Sequence, residues 1–139
     1  VIDSDLAKST TTNQFEEVFP ERFVETGIAE QNAMGVASGM AATGLTVFAH
    51  SFGCFAARRM FDQAFLAAGY SELPVHVIGS DPGVCAAFNG ATHMPFEDCA
   101  LYMNIPNAVV IDQEAGSLRQ SVLHAPDPQG LHHRVCGRL

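Results

Sequence analysis

Positive charge is scarce in this chain. Lys8 is its lone lysine, seven basic residues stand against 15 acidic ones, and the formal net charge is −8. The longest basic cluster is the pair Arg58-Arg59. Nucleic-acid binding needs a basic face to displace counterions, so that class is excluded. Long apolar runs are missing too. Leu45 to Ala49 and Ala108 to Ile111 are among the longest, far short of the roughly 20 residues of a membrane span. The first residues, Val1-Ile2-Asp3-Ser4-Asp5, show no basic stretch followed by an apolar one. The expectation is a cytoplasmic chain without a secretory signal. Cys54, Cys85, Cys99 and Cys136 form no C-x-x-C pair, which points to reduced thiols rather than a disulfide framework. Only 16% of the residues are charged and 47% are hydrophobic. Over 139 residues that composition excludes disorder and supplies one core, hence one domain.

What is present alternates between strands and helices. Val1 to Asp3 opens as a strand. Arg22 to Thr26 reads as a second, closed by Gly27. Ala29 to Ala42 reads as a helix that stops at Thr43-Gly44, with glycine as the C-terminal cap. Leu45 to Ala49 is an apolar strand. Cys54 to Gly69 has helical period, with Phe55, Met60, Phe61, Phe65 and Leu66 on one broad face. Pro74 to Gly79 is a strand, and Asp81 to Gly90 is a loop. Phe96 to Met103 is a short helix with Pro95 at its start. Ala108 to Asp112 is a strand, Glu114 to Leu123 a helix and Pro126 to Gly130 a turn. The last nine residues make a final strand, too polar for a central buried one, which reads either as an exposed edge or as a sign that the chain is part of something larger. Short apolar strands between helices predict an α/β fold: three layers, a mostly parallel sheet with helices on both faces.

The segment from Ala29 to Ala42, AEQNAMGVASGMAA, is built almost entirely of small residues. Gly35 and Gly39 lie one turn apart. Each interior glycine costs up to about 1 kcal/mol relative to alanine. Close approach of another backbone, within the chain or from a second copy, would offset that cost. Glu30 sits in the first turn of this helix. Taken alone, it could simply complement the positive helix start.

Four short motifs, in order, carry a resemblance. They are Asp5-Leu6-Ala7-Lys8-Ser9; Glu21-Arg22-Phe23 with Gly27-Ile28-Ala29-Glu30-Gln31; Phe52-x-x-Phe55-x-x-x-Arg59-x-x-Asp62-Gln63; and Gly90-Ala91-Thr92-His93 with Glu97-Asp98 and Ile105-Pro106-Asn107. Together they resemble the pyrimidine-binding domain of transketolase-type enzymes, which use thiamine diphosphate. The match spans residues 1 to about 112.

The resemblance implies the following roles. Glu30 hydrogen-bonds a ring nitrogen of the aminopyrimidine and favours its imino tautomer, whose nitrogen takes the thiazolium proton. That role asks for a desolvated carboxyl that keeps or shares a proton. The apolar helix around Glu30 suits it. Phe52 and Phe55 flank the pyrimidine, Phe55 as the stacking ring. Ile28 and Arg59 complete the cofactor side, and Asp5 touches the cofactor across a subunit interface. His93 contacts sugar hydroxyls beside the reactive carbon. Ser9 and Arg138 match residues that hold a substrate phosphate. Asp81 and Asn89 stand at substrate-reading positions where the family more often has His and Asp. Those two departures leave the donor and acceptor sugars open. Arg58 stands where some members have a tyrosine of the pyrimidine pocket.

Some family features have no counterpart. There is no G-D-G…N motif for diphosphate and magnesium, and no other glycine-rich phosphate loop. A cofactor held only by its pyrimidine end would leave its diphosphate charge unpaired. The expectation is therefore residues 1–139 as one pyrimidine-binding domain, incomplete at both ends and inactive alone. A separate domain or subunit would bind the diphosphate and Mg²⁺, in a homodimer or heterotetramer. No metal site is expected in this chain, since His132-His133-x-x-Cys136 is too few and too close for a tetrahedral site. The reaction implied is transfer of two-carbon ketol units between sugar phosphates. The alternatives are a deoxyxylulose-phosphate-synthase-like chain, a 2-oxo-acid dehydrogenase beta-type subunit, or a catalytically silent dimerisation domain.

Overall fold

The computed structural model describes residues 1–112 and the backbone of a strand at His133–Gly137. Six strands form one parallel sheet: β1 (Ile2–Asp3), β2 (Val24–Glu25), β3 (Val47–Phe52), β4 (Val75–Ser80), β5 (Ala108–Asp112) and β6 (His133–Gly137). Their order is β2-β1-β3-β4-β6-β5. Every pairing is parallel. The α/β reading holds. The edge position expected for the last strand does not: β6 lies between β4 and β5 and bonds to both. Polar residues can occupy an interior strand because backbone pairing, not side-chain hydropathy, fills that slot. The expected helix Glu114 to Leu123 and turn Pro126 to Gly130 lie outside the described residues.

The register sorts the side chains onto two faces. Ile2 pairs with Ala49, and Ala49 with Val77. These residues face the core with Val47 and Val75. Against them packs helix α3 (Glu30–Ala42) through Ala33, Met34, Ala37 and Ala41. Helix α4 (Gly53–Arg58) packs on β3 and β4 and adds Ala56 to the same core. Alternate residues point to the other face. There Phe48 stacks on His76 at 4.7 Å, and Asp3 lies beside His50. Two short helices that the sequence pattern does not predict, α1 (Ala7–Thr10) and α2 (Asn13–Val18), follow β1. Asp3 anchors them: its carboxylate accepts from the Leu6 N–H at 2.7 Å and from the Thr12 hydroxyl at 2.7 Å.

Close backbone approach occurs at Gly53 and Gly79, not in α3. A Cβ on Gly79 would stand 2.9 Å from Gly53 Cα. Only glycine lets α4 start this close to β4. A Cβ on Gly35 or Gly39 would meet nothing within 4 Å, and both residues are exposed. No backbone among the described residues accounts for these two glycines.

The helix expected over Cys54 to Gly69 is broken. α4 ends at Arg58, α5 spans Phe61–Gln63, and Ala64–Tyr70 winds as a π-helix. The Phe55 carbonyl accepts from both the Arg59 N–H (2.9 Å) and the Met60 N–H (3.3 Å), a local widening of the turn. Met60 is buried, but Phe65 and Leu66 are exposed, against expectation. The change of pitch rotates them off the buried face. Last comes α6 (Asp98–Tyr102), shorter than the expected 96–103 and beginning three residues after Pro95. The buried Tyr102 hydroxyl donates to the Ala56 carbonyl at 2.9 Å and ties α6 to α4.

Candidate functional site

The described candidate residues lie at or beyond the carboxyl ends of the parallel strands, where open α/β sheets place ligands. Asp5 follows β1, Glu30 follows β2, Phe55 follows β3, and Asp81 to His93 follow β4. The chain order reverses between β1 and β3, so the crevice opens there.

Glu30 is the first residue of α3 and is only 4% exposed. Its surroundings are not purely apolar, as the helix sequence suggested. Arg59 Nη1 donates to Glu30 Oε1 at 2.6 Å. The guanidinium of Arg59 also lies over the Phe55 ring, 4.1 Å from its centroid. Ile28, Ala29, Glu30, Gln31, Asn32 and Arg59 line an open cleft of about 500 Å³. Ile28 stands at its rim, 75% exposed.

Phe55 also meets His93. The two rings meet edge-on at 5.2 Å, and Phe52 lies 6.3 Å from His93. Phe52 and Phe55 are 6.1 Å apart. The tight turn Ala91–His93 presents the imidazole, and the Thr92 hydroxyl hydrogen-bonds with His93 Nδ1 at 2.9 Å. Glu30, Arg59, Phe55, Phe52 and His93 thus form one constellation, assembled from the start of α3, the end of β3, α4 with the residue after it, and the loop after β4.

Among the described residues, no hydrogen bond or ion pair joins Asp5, Ser9, Asp81 or Asn89 to this group. Asp5 donates its N–H to Glu25 Oε1 at 2.8 Å. The same oxygen accepts from the Gly27 N–H at 2.7 Å, so Glu25 holds the ends of β1 and β2 together. Ser9 is exposed on α1 and Asn89 is exposed in the loop. Asp5 and Asp81 share one feature: φ is 61° and 54°, a left-handed backbone uncommon outside glycine. Arg138 lies outside the described residues.

Sequence reasoning missed two features. Arg58 turns away from the cleft toward the His93 turn. Its guanidinium pairs with Glu97 and donates to the carbonyls of Met94 (3.1 Å) and Thr92 (3.4 Å). Arg58 beside it and the Phe96 N–H hold the Glu97 carboxyl down at about 2. The second is His50, 2% exposed on β3, whose Nε2 has no hydrogen-bond partner among the described residues. Burial pushes its pKa below the ordinary value, against the pull of Asp3 and Asp81. The Arg58-Arg59 pair is visible as the longest basic cluster in the chain; His50 carries no sequence mark.

Cys54, Cys85 and Cys99 are free thiols. Among the described residues, no group of three or more His, Cys, Asp or Glu could hold a metal ion. No helix among them is long and apolar enough to cross a membrane.

A parallel sheet with an acid, an arginine and aromatic rings around a cleft at its carboxyl edge defines a ligand-binding α/β domain. The family described as "Transketolase, pyrimidine binding domain" matches residues 1–123, and the chain belongs to it. Membership implies dependence on thiamine diphosphate. The chain is 41% identical over 132 residues to a 6-deoxy-6-sulfo-D-fructose transketolase subunit of Clostridium sp. (strain MSTE9). That alignment covers 95% of this chain and 40% of the relative. A solved split gene transketolase, an inactive beta4 tetramer, superposes with a TM-score of 0.78 at 39% identity, over all of this chain and 44% of that one. Transketolase from Campylobacter jejuni, at 17% identity and a TM-score of 0.79 over 99% of this chain and 22% of its own, shares the fold. The chain therefore spans less than half the length of these relatives.

Proposed function

We propose that this chain is the pyrimidine-binding part of a thiamine-diphosphate transketolase moving two-carbon ketol units between sugar phosphates. A separate domain or subunit supplies the diphosphate and Mg²⁺ site, in a homodimer or heterotetramer. The observation that carries the reading is Arg59, seated between Glu30 and Phe55. Its guanidinium is planar and rich in N–H groups. It donates a hydrogen bond to the buried carboxylate at 2.6 Å and lies over the aromatic face at 4.1 Å. An aminopyrimidine asks for the same two contacts, so the residues present fit that group.

The chemistry thiamine diphosphate supplies when bound is a nucleophilic carbon on its thiazolium ring. This chain's residues do the rest on their side of the site. Phe55 stacks on the pyrimidine, with Phe52 beside it. Glu30 holds a proton at its carboxyl against a pyrimidine nitrogen. Arg59 gives up the Phe55 face and supplies positive charge at the rim. His93, edge-on to Phe55, reaches hydroxyls next to the substrate carbonyl. Ile28 walls the cofactor side, and Asp5 meets the cofactor of a neighbouring subunit. Ser9 and Arg138 hold the substrate's anionic end, and Asp81 and Asn89 read its hydroxyls.

The first experiment is calorimetry of thiamine diphosphate with Mg²⁺, into this chain alone and into its mixture with a diphosphate-binding partner. Binding only in the mixture is expected. Binding by the chain alone would overturn the split site. No binding in either, with a partner of proven competence, would leave a silent dimerisation domain. The relative named for 6-deoxy-6-sulfo-D-fructose makes that sugar the second donor to assay, beside ketose phosphates.

A further inference from the structure

Arg58 and Arg59 are neighbours on the chain, yet they serve different groups. Arg59 reaches Glu30, while Arg58 reaches the turn that carries His93. The acceptors of Arg58 bracket the histidine: the Thr92 carbonyl lies just before it, the Met94 carbonyl just after, and the Glu97 carboxylate three residues further on. Nε of Arg58 bonds Glu97 Oε1, and Nη2 reaches Glu97 Oε2 at 3.4 Å. The second carboxylate oxygen also accepts from the Phe96 N–H at 3.0 Å. A planar fork contacting three acceptors fixes direction as well as distance.

The base of this clasp is α4. Phe55, three residues before Arg58, lies on the same helix and meets His93 edge-on at 5.2 Å. One rigid helix therefore carries both the ring that His93 touches and the guanidinium that ties its turn down. The turn's own backbone bonds are short-range: the His93 N–H to the Gly90 carbonyl (3.0 Å) and the Met94 N–H to the Ala91 carbonyl (3.4 Å). The Arg58 and Glu97 side chains are 39% and 40% exposed, and ion pairs that exposed add little to stability. The clasp is thus poorly placed to hold the fold and well placed to aim a loop.

We propose that Arg58, with Glu97 as its counter-ion, is a positioning residue that sets His93 against Phe55, and so governs substrate recognition rather than cofactor binding. The inference rests on the role of His93 proposed above.

The test uses Arg58→Met, Arg58→Lys and Glu97→Gln. In the full chain, His93 ring protons are followed by NMR, since the nearby Phe55 ring displaces their resonances. The wild-type displacement is expected to collapse in Arg58→Met and Glu97→Gln and to return in part in Arg58→Lys. Unchanged His93 resonances in both would overturn the clasp, whatever the activity. In the enzyme assembled with its partner, Arg58→Met and Glu97→Gln are expected to raise the donor KM about tenfold. Half-saturation by thiamine diphosphate should stay within about twofold of wild type. Equal losses for donor and cofactor would also overturn the clasp. If Arg58→Met fails to fold, Glu97→Gln, which preserves shape, answers the same questions. A wild-type assembly with no ketol transfer would overturn the proposed function instead, and the NMR comparison would still decide the clasp.

Discussion

Glu30 and Arg59 are 29 residues apart in the chain and 2.6 Å apart in space. One begins α3 and the other follows α4. Glu30 is 4% exposed while the Arg59 side chain is 47% exposed, so the pair has a dry end and a wet end. A carboxylate at the dry end needs its partner, and the wet end gives that partner somewhere to go when another planar group arrives.

Removing the carboxyl and removing its partner should have different effects. Glu30→Gln in the assembled enzyme is expected to cut turnover by about 100-fold or more, as loss of a proton-handling group does. Its melting curve and assembly should match wild type. Arg59→Met leaves the buried carboxylate uncompensated. It should destabilise the chain by about 1–2 kcal/mol in urea melts, less than a fully buried pair because Arg59 is half-exposed. Full turnover by Glu30→Gln would remove Glu30 from the chemistry.

His93→Ala removes the imidazole without touching the Arg59–Glu30 end of the site. Steady-state kinetics of the assembled enzyme should show donor kcat/KM falling by about 100-fold. Cofactor half-saturation should hardly change. Parallel losses of both would make His93 a structural residue of its turn.

The glycines separate two kinds of packing. Gly79→Ala places a Cβ 2.9 Å from Gly53 Cα, a backbone atom that cannot step aside, and should cost about 1–3 kcal/mol. Gly39→Ala meets nothing within 4 Å and should stabilise the separate chain by up to about 1 kcal/mol through helix propensity. Thermal melts of the two variants test both signs. If the assembled form is weakened by Gly39→Ala while the separate chain is strengthened, the exposed face of α3 packs against another chain.

Stability should fall on acidification in two windows. Burial lowers the pKa of His50 in the folded chain, so below the ordinary value of about 6.5 the unfolded chain takes up the proton first. The contribution is whole above that pH and is lost as pH falls through the folded value. Glu97, held at about 2 by Arg58, acts further down and only weakly, because solvent screens a pair this exposed: its small contribution is whole above the usual carboxylate range and disappears as pH falls toward 2. Urea melts from neutral pH down through the ordinary histidine range should show the first slope, and His50→Leu should flatten it. A slope unchanged by that substitution would place the titration elsewhere.

Much of this site is legible locally. Glu30 is marked by the motif around it and by its place at the head of a small-residue helix. Phe52, Phe55, Arg59 and His93 are marked only through the resemblance of their motifs to the family, since by themselves they read as core aromatics, a basic residue and a loop histidine. Arg58 is visible as half of the longest basic cluster, but its partners are 34 to 39 residues away, beyond the reach of any local pattern. The wide turn at the Phe55 carbonyl escapes notice for a related reason. A hydrophobic period averages over several turns and does not register one extra residue in one of them.

Local pattern was sufficient for the alternation of short apolar strands with helices, and with it a parallel α/β sheet, because side-chain period and chain punctuation belong to neighbouring residues. It was sufficient, too, for which residue types are available to a site. The folded arrangement was needed for the rest: that β6 lies inside the sheet, that Gly53 and Gly79 rather than Gly35 and Gly39 make the close contact within the chain, and that adjacent arginines diverge to Glu30 and to the His93 turn. Those outcomes depend on strand order, register and the distance between elements far apart in the chain. They are fixed only when backbone pairing and burial are satisfied for all elements together.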